Sequence, residues 1–277
     1  MASTTLDESV RSPAWLRYLR QLWQRREFAW YLAMGKLRAR NASTALGLLW
    51  WVINPLLLAG IYFFVFGVIL NTRRGDPNYL AYLVSGLFVF HYTSSSMTAG
   101  ANSILSGSKL LVNLNFPRLI LPISAIIEAG VGFLVSIVVF FALIIPLSGS
   151  APSWGLLLLI PAFLLQTSFN VGLAAITARL AVPFRDIDNL LPYLLRLWLY
   201  LSPIIWPIST IDNAPAWAQR MMLANPLYWL LEIYRGALLG RVITPTAWWL
   251  ASSWAIVVLV VGVTAFVRRE GQMVRYL

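Results

Sequence analysis

Four stretches of the chain carry no charged residue: 41–72, 77–108, 129–178 and 242–267. A helix needs roughly 20 apolar residues to cross about 30 Å of hydrocarbon. The third stretch is long enough for two such helices, and PLSGSAPS at 146–153 divides it with turn-forming residues. A shorter apolar run at 190–208, edged by Pro192, Pro203 and Pro207, adds another candidate. The pattern predicts six spans, at 46–70, 80–104, 119–146, 154–178, 190–208 and 246–267. The predicted fold class is all-α, a polytopic membrane protein. Asn54-Pro55 lies inside the first span, where proline frees a carbonyl and kinks the helix.

Two segments follow other rhythms. At 13–38, Ser12-Pro13 is a helix start. Trp15, Tyr18, Leu19 and Leu22 then recur at i, i+3, i+4 and i+7, while Arg17, Arg20, Gln21 and Gln24 repeat that spacing on another face. This describes an amphipathic helix lying in the interface of an anionic membrane, or one packed on a protein partner. Residues 209–245 are too polar to cross and too apolar for a plain loop. APAWAQRMMLANPLYWLLEIYRGALLG splits at Asn225-Pro226 into two runs, each too short to span. A re-entrant pair of half-helices is expected, the alternative being a helical hairpin on the outer surface. Glu232 and Arg235, three residues apart, are spaced to bond across one turn.

Composition agrees: 59% of residues are hydrophobic and 11% charged, where a soluble domain carries about 25% charged. The net charge of +11 raises the question of nucleic acid, but its distribution gives a different answer. With six spans, both termini and the segments 105–118 and 179–189 share one side with fifteen Lys and Arg, against five on the other. The positive-inside bias puts that side in the cytoplasm. The charge is topological, and no nucleic-acid partner is expected. Without cysteine, and with His91 as the single histidine, a thiolate or zinc centre has no ligands. No G-x-x-x-x-G-K-[ST] loop is present; SGSKL at 106–110 lacks the frame that wraps phosphates. Residues 1–12 lack the charged and apolar regions of a cleaved signal peptide.

Ionisable residues at membrane depth are functional suspects. They are His91, Glu128 and Arg196. Arg196 snorkels or pairs with Glu128, both line a polar path, or they relay protons. Aromatics make up 14% of the chain. Trp50, Trp51, Trp248, Trp249 and Trp254 sit where interfacial belts form. Tyr62, Phe63, Phe66, Tyr193, Trp198, Tyr200 and Trp206 lie deeper, where rings offer weak, repeated contacts to the C–H faces of a sugar polymer. Arg25, Arg26, Lys36, Arg38 and Arg40 are placed to meet a diphosphate headgroup, or simply obey the positive-inside bias.

KLLVNLNFPRLILP, 109–122, interrupts the apolar pattern with Lys109, Asn113, Asn115 and Arg118 between prolines. It is either a bland loop or a lever. Four blocks answer this: KLRARNASTALGLLWWVINPLLLAGIYFFVFG (36–67), LLVNLNFPRLILP (110–122), FRDIDNLLPYLLRLWLYLSPIIWP (184–207) and LANPLYWLLEIYRGALLG (223–240). In this order and spacing the chain resembles the six-span permeases of polysaccharide exporters in the type-2 ABC transporter class, the Wzm-like proteins. Val182-Pro183 before FRD departs from the usual pattern in one loop.

The resemblance implies a homodimer paired with two copies of a separate ATPase, which carries the ATP and magnesium; no cofactor is expected on this chain. It implies an N-terminal segment 1–40 with an interface helix, a permease domain 41–267 and a cytoplasmic tail 268–277. A coupling segment at 105–118 docks on the ATPase through Lys109, Asn113, Asn115, Phe116, Pro117 and Arg118, with Arg185 and Asp186 beside it. External gate helices at 211–240 carry Tyr228, Trp229, Glu232 and Arg235. The path between subunits is lined by Tyr62, Phe63, Phe66, Tyr193, Arg196, Trp198 and Tyr200. The expected activity is export of a polyprenyl-diphosphate-linked glycan across a bacterial inner membrane. Cell-wall galactan is preferred because arginine outnumbers lysine nineteen to two, as in GC-rich genomes; O-antigen and teichoic acid are the other candidates. The alternatives are a drug or lipid exporter of the same class, or a proton-coupled carrier.

Overall fold

The computed structural model describes residues 14–41, 46–70, 78–107, 116–148, 154–208 and 214–273, and among them there is no strand. The helices are α1 (Ala14–Gln24), α2 (Arg26–Asn41), α3 (Trp50–Tyr62), α4 (Tyr79–Ser106) and α5 (Ile120–Val139). After them come α6 (Leu159–Ala181), α7 (Ile187–Leu201), α8 (Ala216–Leu223), α9 (Pro226–Leu239) and α10 (Pro245–Met273). α3 runs on through a π turn, Phe63–Ile69, and α5 through another at Phe140–Ile144. Pro55 sits inside α3 without ending it.

Among the described residues, three helical stretches are long and apolar enough to cross a membrane: Ile120–Ile144, Gly155–Ala181 and Pro245–Gln272. The apolar part of α3, Ile53–Ile69, is shorter. α4 has 28 residues, about 42 Å of helix, but carries many hydroxyls because it is the buried centre of the bundle. α5, α6 and α9 all pack on it, and α10 packs along α6. Its Ser85, Thr93, Ser96 and Ser103 face inward and bond to backbone carbonyls or to Gln166.

Three expectations are corrected. The single helix at 13–38 is two, broken at Arg25, where the Arg26 guanidinium turns back to the Trp23 carbonyl (3.2 Å) and takes up an orphaned acceptor of the α1 end. The fifth span stops at Leu201, since Ser202–Trp206 is turn. Pro203 disfavours the helical region for the residue before it, and Ser202 is extended at ψ 147°. The last helix continues beyond 267 to Met273.

α9 starts as its sequence predicts, Asn225 capping the Leu227 amide at 3.1 Å with Pro226 in the first turn. It ends at Gly240 with φ 67°, a left-handed position open to glycine. Leu227, Leu230, Leu231, Ile233, Tyr234, Ala237 and Leu238 are all buried against α4 and α10, so α9 is an interior helix. Two apolar cores result. One surrounds α4 with Phe88, Tyr92, Phe133, Phe169 and Tyr234. The other, at the opposite end, gathers Ala29, Ile104, Phe116, Leu119, Ala178, Val182 and Phe266 from five separate segments.

Candidate functional site

The second core is the floor of a cleft of about 970 Å³ lined by Trp15, Tyr18, Arg25, Phe116, Arg118 and Glu270, among others. Three distant pieces of chain build it: α1, the residues that lead into α5, and the last turns of α10. Phe116 is buried and meets Phe28 of α2 edge to face, centroids 5.3 Å apart. Pro117 accepts from the Ile120 amide and Arg118 from the Leu121 amide, so the turn runs directly into α5. The Arg118 amide donates to Glu270 Oε1 at 2.6 Å, and its guanidinium donates to the Glu270 carbonyl. Charge-assisted bonds of this type are the strong ones.

Tyr18 closes the cleft from the α1 side. Its hydroxyl is buried beside the Glu270 carboxylate and the Leu119 backbone without a well-formed bond to either. Burial first, and the Glu270 carboxylate second, push the phenol well above its ordinary value. A raised phenol contributes stability that is complete below the ordinary value of about 10 and lost as pH rises above it. The α1 contact is therefore expected to loosen above about pH 10, read from the fluorescence of Trp15 and Trp23. Tyr18→Phe should flatten that pH dependence; an unchanged alkaline transition in the variant would show that Tyr18 is not its source.

The structure redistributes the predicted residues. Lys109, Asn113 and Asn115, and the Arg40 side chain, lie outside the described residues. Phe116 and Pro117 are buried, and half-buried Arg118 is bound to α10, so these three fix the start of α5 to the rest of the bundle. Arg185 and Asp186 are exposed in the α6–α7 turn. Arg25, Arg26 and Arg38 are exposed, whereas Lys36 is half-buried where α2 packs on α5. Burial lowers the Lys36 ammonium from its ordinary value, opposed in part by the Glu128 carboxylate. Glu128 thus lies beside Lys36 of α2, where the sequence offered Arg196 as its partner.

Arg196 instead lies with Tyr200 beside Tyr62, joining α7 to α3. Tyr193 and Tyr200 are 69% and 45% exposed, so this face of the isolated chain is open. Phe66 is half-buried, next to Tyr62. Two members of the expected lining turn inward. Phe63 packs by Tyr79 of α4. Trp198 meets Phe90 edge to face and donates to Asn225 Oδ1 at 3.0 Å. Its nitrogen needs that partner, and Asn225 in turn donates to Ser202 Oγ at 2.9 Å, which holds the end of α7 against the start of α9.

Among the gate residues, Tyr228 and Trp229 stack edge to face, and Trp229 donates to the Leu223 carbonyl at 2.9 Å. The Glu232–Arg235 pair is not formed. Glu232 accepts from Thr244 Oγ1 at 2.7 Å, and Arg235 turns inward to backbone oxygens of Pro203 and Tyr82. Sequence reasoning missed Glu270 and Tyr18. Glu270 had a visible signal, a lone acid within an otherwise basic end, and Tyr18 had none beyond its helical spacing.

Residues 28–239 match the family model described as ABC-2 type transporter. The O-antigen export system permease protein RfbA of Myxococcus xanthus is 32% identical over 221 residues, 79% of this chain and 83% of that protein. An RfbA of Klebsiella pneumoniae is 30% identical over 208 residues, 75% of this chain and 78% of its own length. The polysialic acid transport protein KpsM of Escherichia coli is 24% identical over 247 residues, 87% and 93% of the two chains. A helical bundle with apolar helices long enough to cross a membrane, matched along most of its length in this way, belongs to the ABC-2 type transporter family.

Proposed function

We propose that this chain is the membrane permease of an ATP-driven polysaccharide exporter. In this reading two copies pair with two copies of a separate ATPase, which holds the ATP and magnesium and performs the hydrolysis. The chain crosses a bacterial inner membrane six times with both termini in the cytoplasm, and α8 and α9 re-enter from outside. Residues 1–40 carry the interface helices, 41–267 the permease domain and 268–277 the tail, and 105–118 is the coupling segment. The cargo is a lipid-linked glycan, with polyprenyl-diphosphate galactan preferred over O-antigen and teichoic acid. Relatives named for O-antigen export and polysialic acid transport support the substrate class.

The observation that carries the reading is the Arg118–Glu270 junction. A segment pushed from outside moves the spans only if its end is fixed to them. Here it is fixed twice, by Phe116 in an apolar core shared with α4, α6 and α10, and by Arg118 on α10. The three apolar helices α5, α6 and α10 then receive the displacement together.

The test is co-reconstitution with the partner ATPase in inverted vesicles, following ATP-dependent protection of a radiolabelled glycan from an added glycosidase. Both chains and ATP should be required; protection that survives ATP removal but not an uncoupler would overturn the reading in favour of a proton-coupled carrier. In the same assay Glu270→Ala should lower glycan moved per ATP about tenfold, the loss of one charge-assisted bond of about 1.5 kcal/mol. Unchanged stoichiometry would remove the junction from the mechanism.

A further inference from the structure

Near the middle of α4, three helices bring together polar side chains whose bonding capacity is mostly unused. Asn170 of α6 is fully buried, and neither its Oδ1 nor its Nδ2 has a partner. Gln166, one turn earlier, donates from Nε2 to the Val89 carbonyl (2.8 Å) and to Thr93 Oγ1 (3.0 Å), while its Oε1 is unpaired. On α9, the Tyr234 hydroxyl is enclosed and unpaired as well. Between them stands the Tyr92 hydroxyl of α4, 2.9 Å from Thr167 Oγ1 and facing Asn170 and Tyr234. Phe133 and Phe163 wall the group, with centroids 5.0 and 5.8 Å from the Tyr92 ring.

A buried polar group left unpaired is costly, and native interiors rarely keep several together. A water needs two to four polar partners in a site roomy enough to hold it. We propose that Tyr92, Gln166, Asn170 and Tyr234 bind internal water that bridges α4, α6 and α9. The set offers what water uses: acceptors at Gln166 and Asn170, a donor at Asn170, and two hydroxyls that serve as either. A metal cation is the wrong occupant. The facing groups are all neutral, and the buried Arg235 guanidinium is the next residue along α9. With water as the bridge, Tyr234 of α9 meets α4 and α6 through a mobile partner and not through a direct side-chain bond. This inference stands apart from the transport reading and survives its failure.

X-ray hydroxyl-radical footprinting of the full chain in nanodiscs tests it, since radicals form from water at the site. Tyr92 and Tyr234 should be modified at rates near those of exposed tyrosines, while the equally buried Phe140, in dry surroundings, stays unmodified. Tyr92 and Tyr234 as unreactive as Phe140 would overturn the proposal. Asn170→Leu, close in shape, gives an independent sign. At a dry site it removes two unpaired polar atoms and raises the melting temperature. At a hydrated site it strands the water and its remaining partners, lowers the melting temperature by several degrees and cuts Tyr92 labelling several-fold. A rise in melting temperature also overturns the proposal. If the variant does not fold, footprinting of the unchanged protein decides.

Discussion

Gly262→Val is expected to abolish the monodisperse, folded protein, and Gly172→Val to do the same. The two glycines lie where α6 and α10 cross, and no other helix pair in the described chain packs as extensively. A Cβ on Gly262 would fall onto the Gly172 carbonyl oxygen and within 2.8 Å of the Gly172 Cα. A Cβ on Gly172 would meet the Val258 carbonyl and come within 2.6 Å of the Leu259 nitrogen. Those are backbone atoms, so no rotamer relieves the clash and a whole helix must move. In lipid, helices associate through such close packing of small residues, because the solvent is as apolar as the side chains. Overpacking of a flexible site costs about 1–3 kcal/mol; here the opposing surface is main chain, and the cost lies at or beyond the upper end.

Alanine at either position should already lower the melting temperature by several degrees. Gly271→Ala is the control, since nothing lies within 4 Å of its Cβ position and alanine suits a helix better than glycine. Fluorescence-detected size exclusion after a heating series measures all of these. Equal melting curves for Gly262→Val and the unchanged chain would mean that α6 and α10 do not cross where the structure places them.

The second large effect is expected at Arg235. Its side chain is 3% exposed, and it donates to the Pro203 carbonyl at 2.7 Å, the Tyr82 carbonyl at 3.3 Å and the Ile204 carbonyl at 3.4 Å. The guanidinium lies 3.4 Å above the Tyr82 ring. Gly86 gives it room, because a Cβ there would stand 2.7 Å from one of its nitrogens. Dipoles meet the charge: the Pro203 and Ile204 carbonyls belong to the turn that follows the C-terminus of α7, the negative end of that helix, and the Tyr82 carbonyl to the first turn of α4. Tyr82 donates to the same Pro203 carbonyl at 3.0 Å and Tyr79 to Ile205 at 2.5 Å, so three side chains hold the turn from which the chain leaves α7.

Arg235→Met keeps the volume but leaves those carbonyls short of donors. At about 1.5–3 kcal/mol for each of the three bonds from the charged donor, the melting temperature should fall by roughly 10 °C or more. Transport should fall with it, since the α7–α9 arrangement depends on that turn. Arg235→Lys should sit between, because an ammonium reaches one carbonyl well but lacks the planar fork. A methionine variant as stable as the unchanged protein would show that the turn is held by Tyr79 and Tyr82 alone.

What the sequence carried well was local. The apolar lengths of α5, α6 and α10 are properties of uninterrupted segments, and each helix falls within a few residues of its predicted span. The break at Asn225-Pro226, where α9 starts, was equally plain, since a cap acts within three residues of itself. The α7 exit misled because Pro203, Ile204 and Ile205 continue an apolar run whose burial is tertiary. Glu232 and Arg235 misled for a related reason: spacing on a helix shows which residues are able to meet, and not which faces turn inward.

The all-helical class and the apolar lengths of α5, α6 and α10 followed from the chain itself, because hydrophobic length needs no partner. Which polar groups meet was settled only by folding. Arg118 finds Glu270 across 152 positions and Arg235 finds Tyr82 across 153. Two glycines ninety positions apart become one crossing point. Such contacts depend on how the helices are stacked and rotated about their axes. No periodicity along a single helix encodes the rotation of its neighbour.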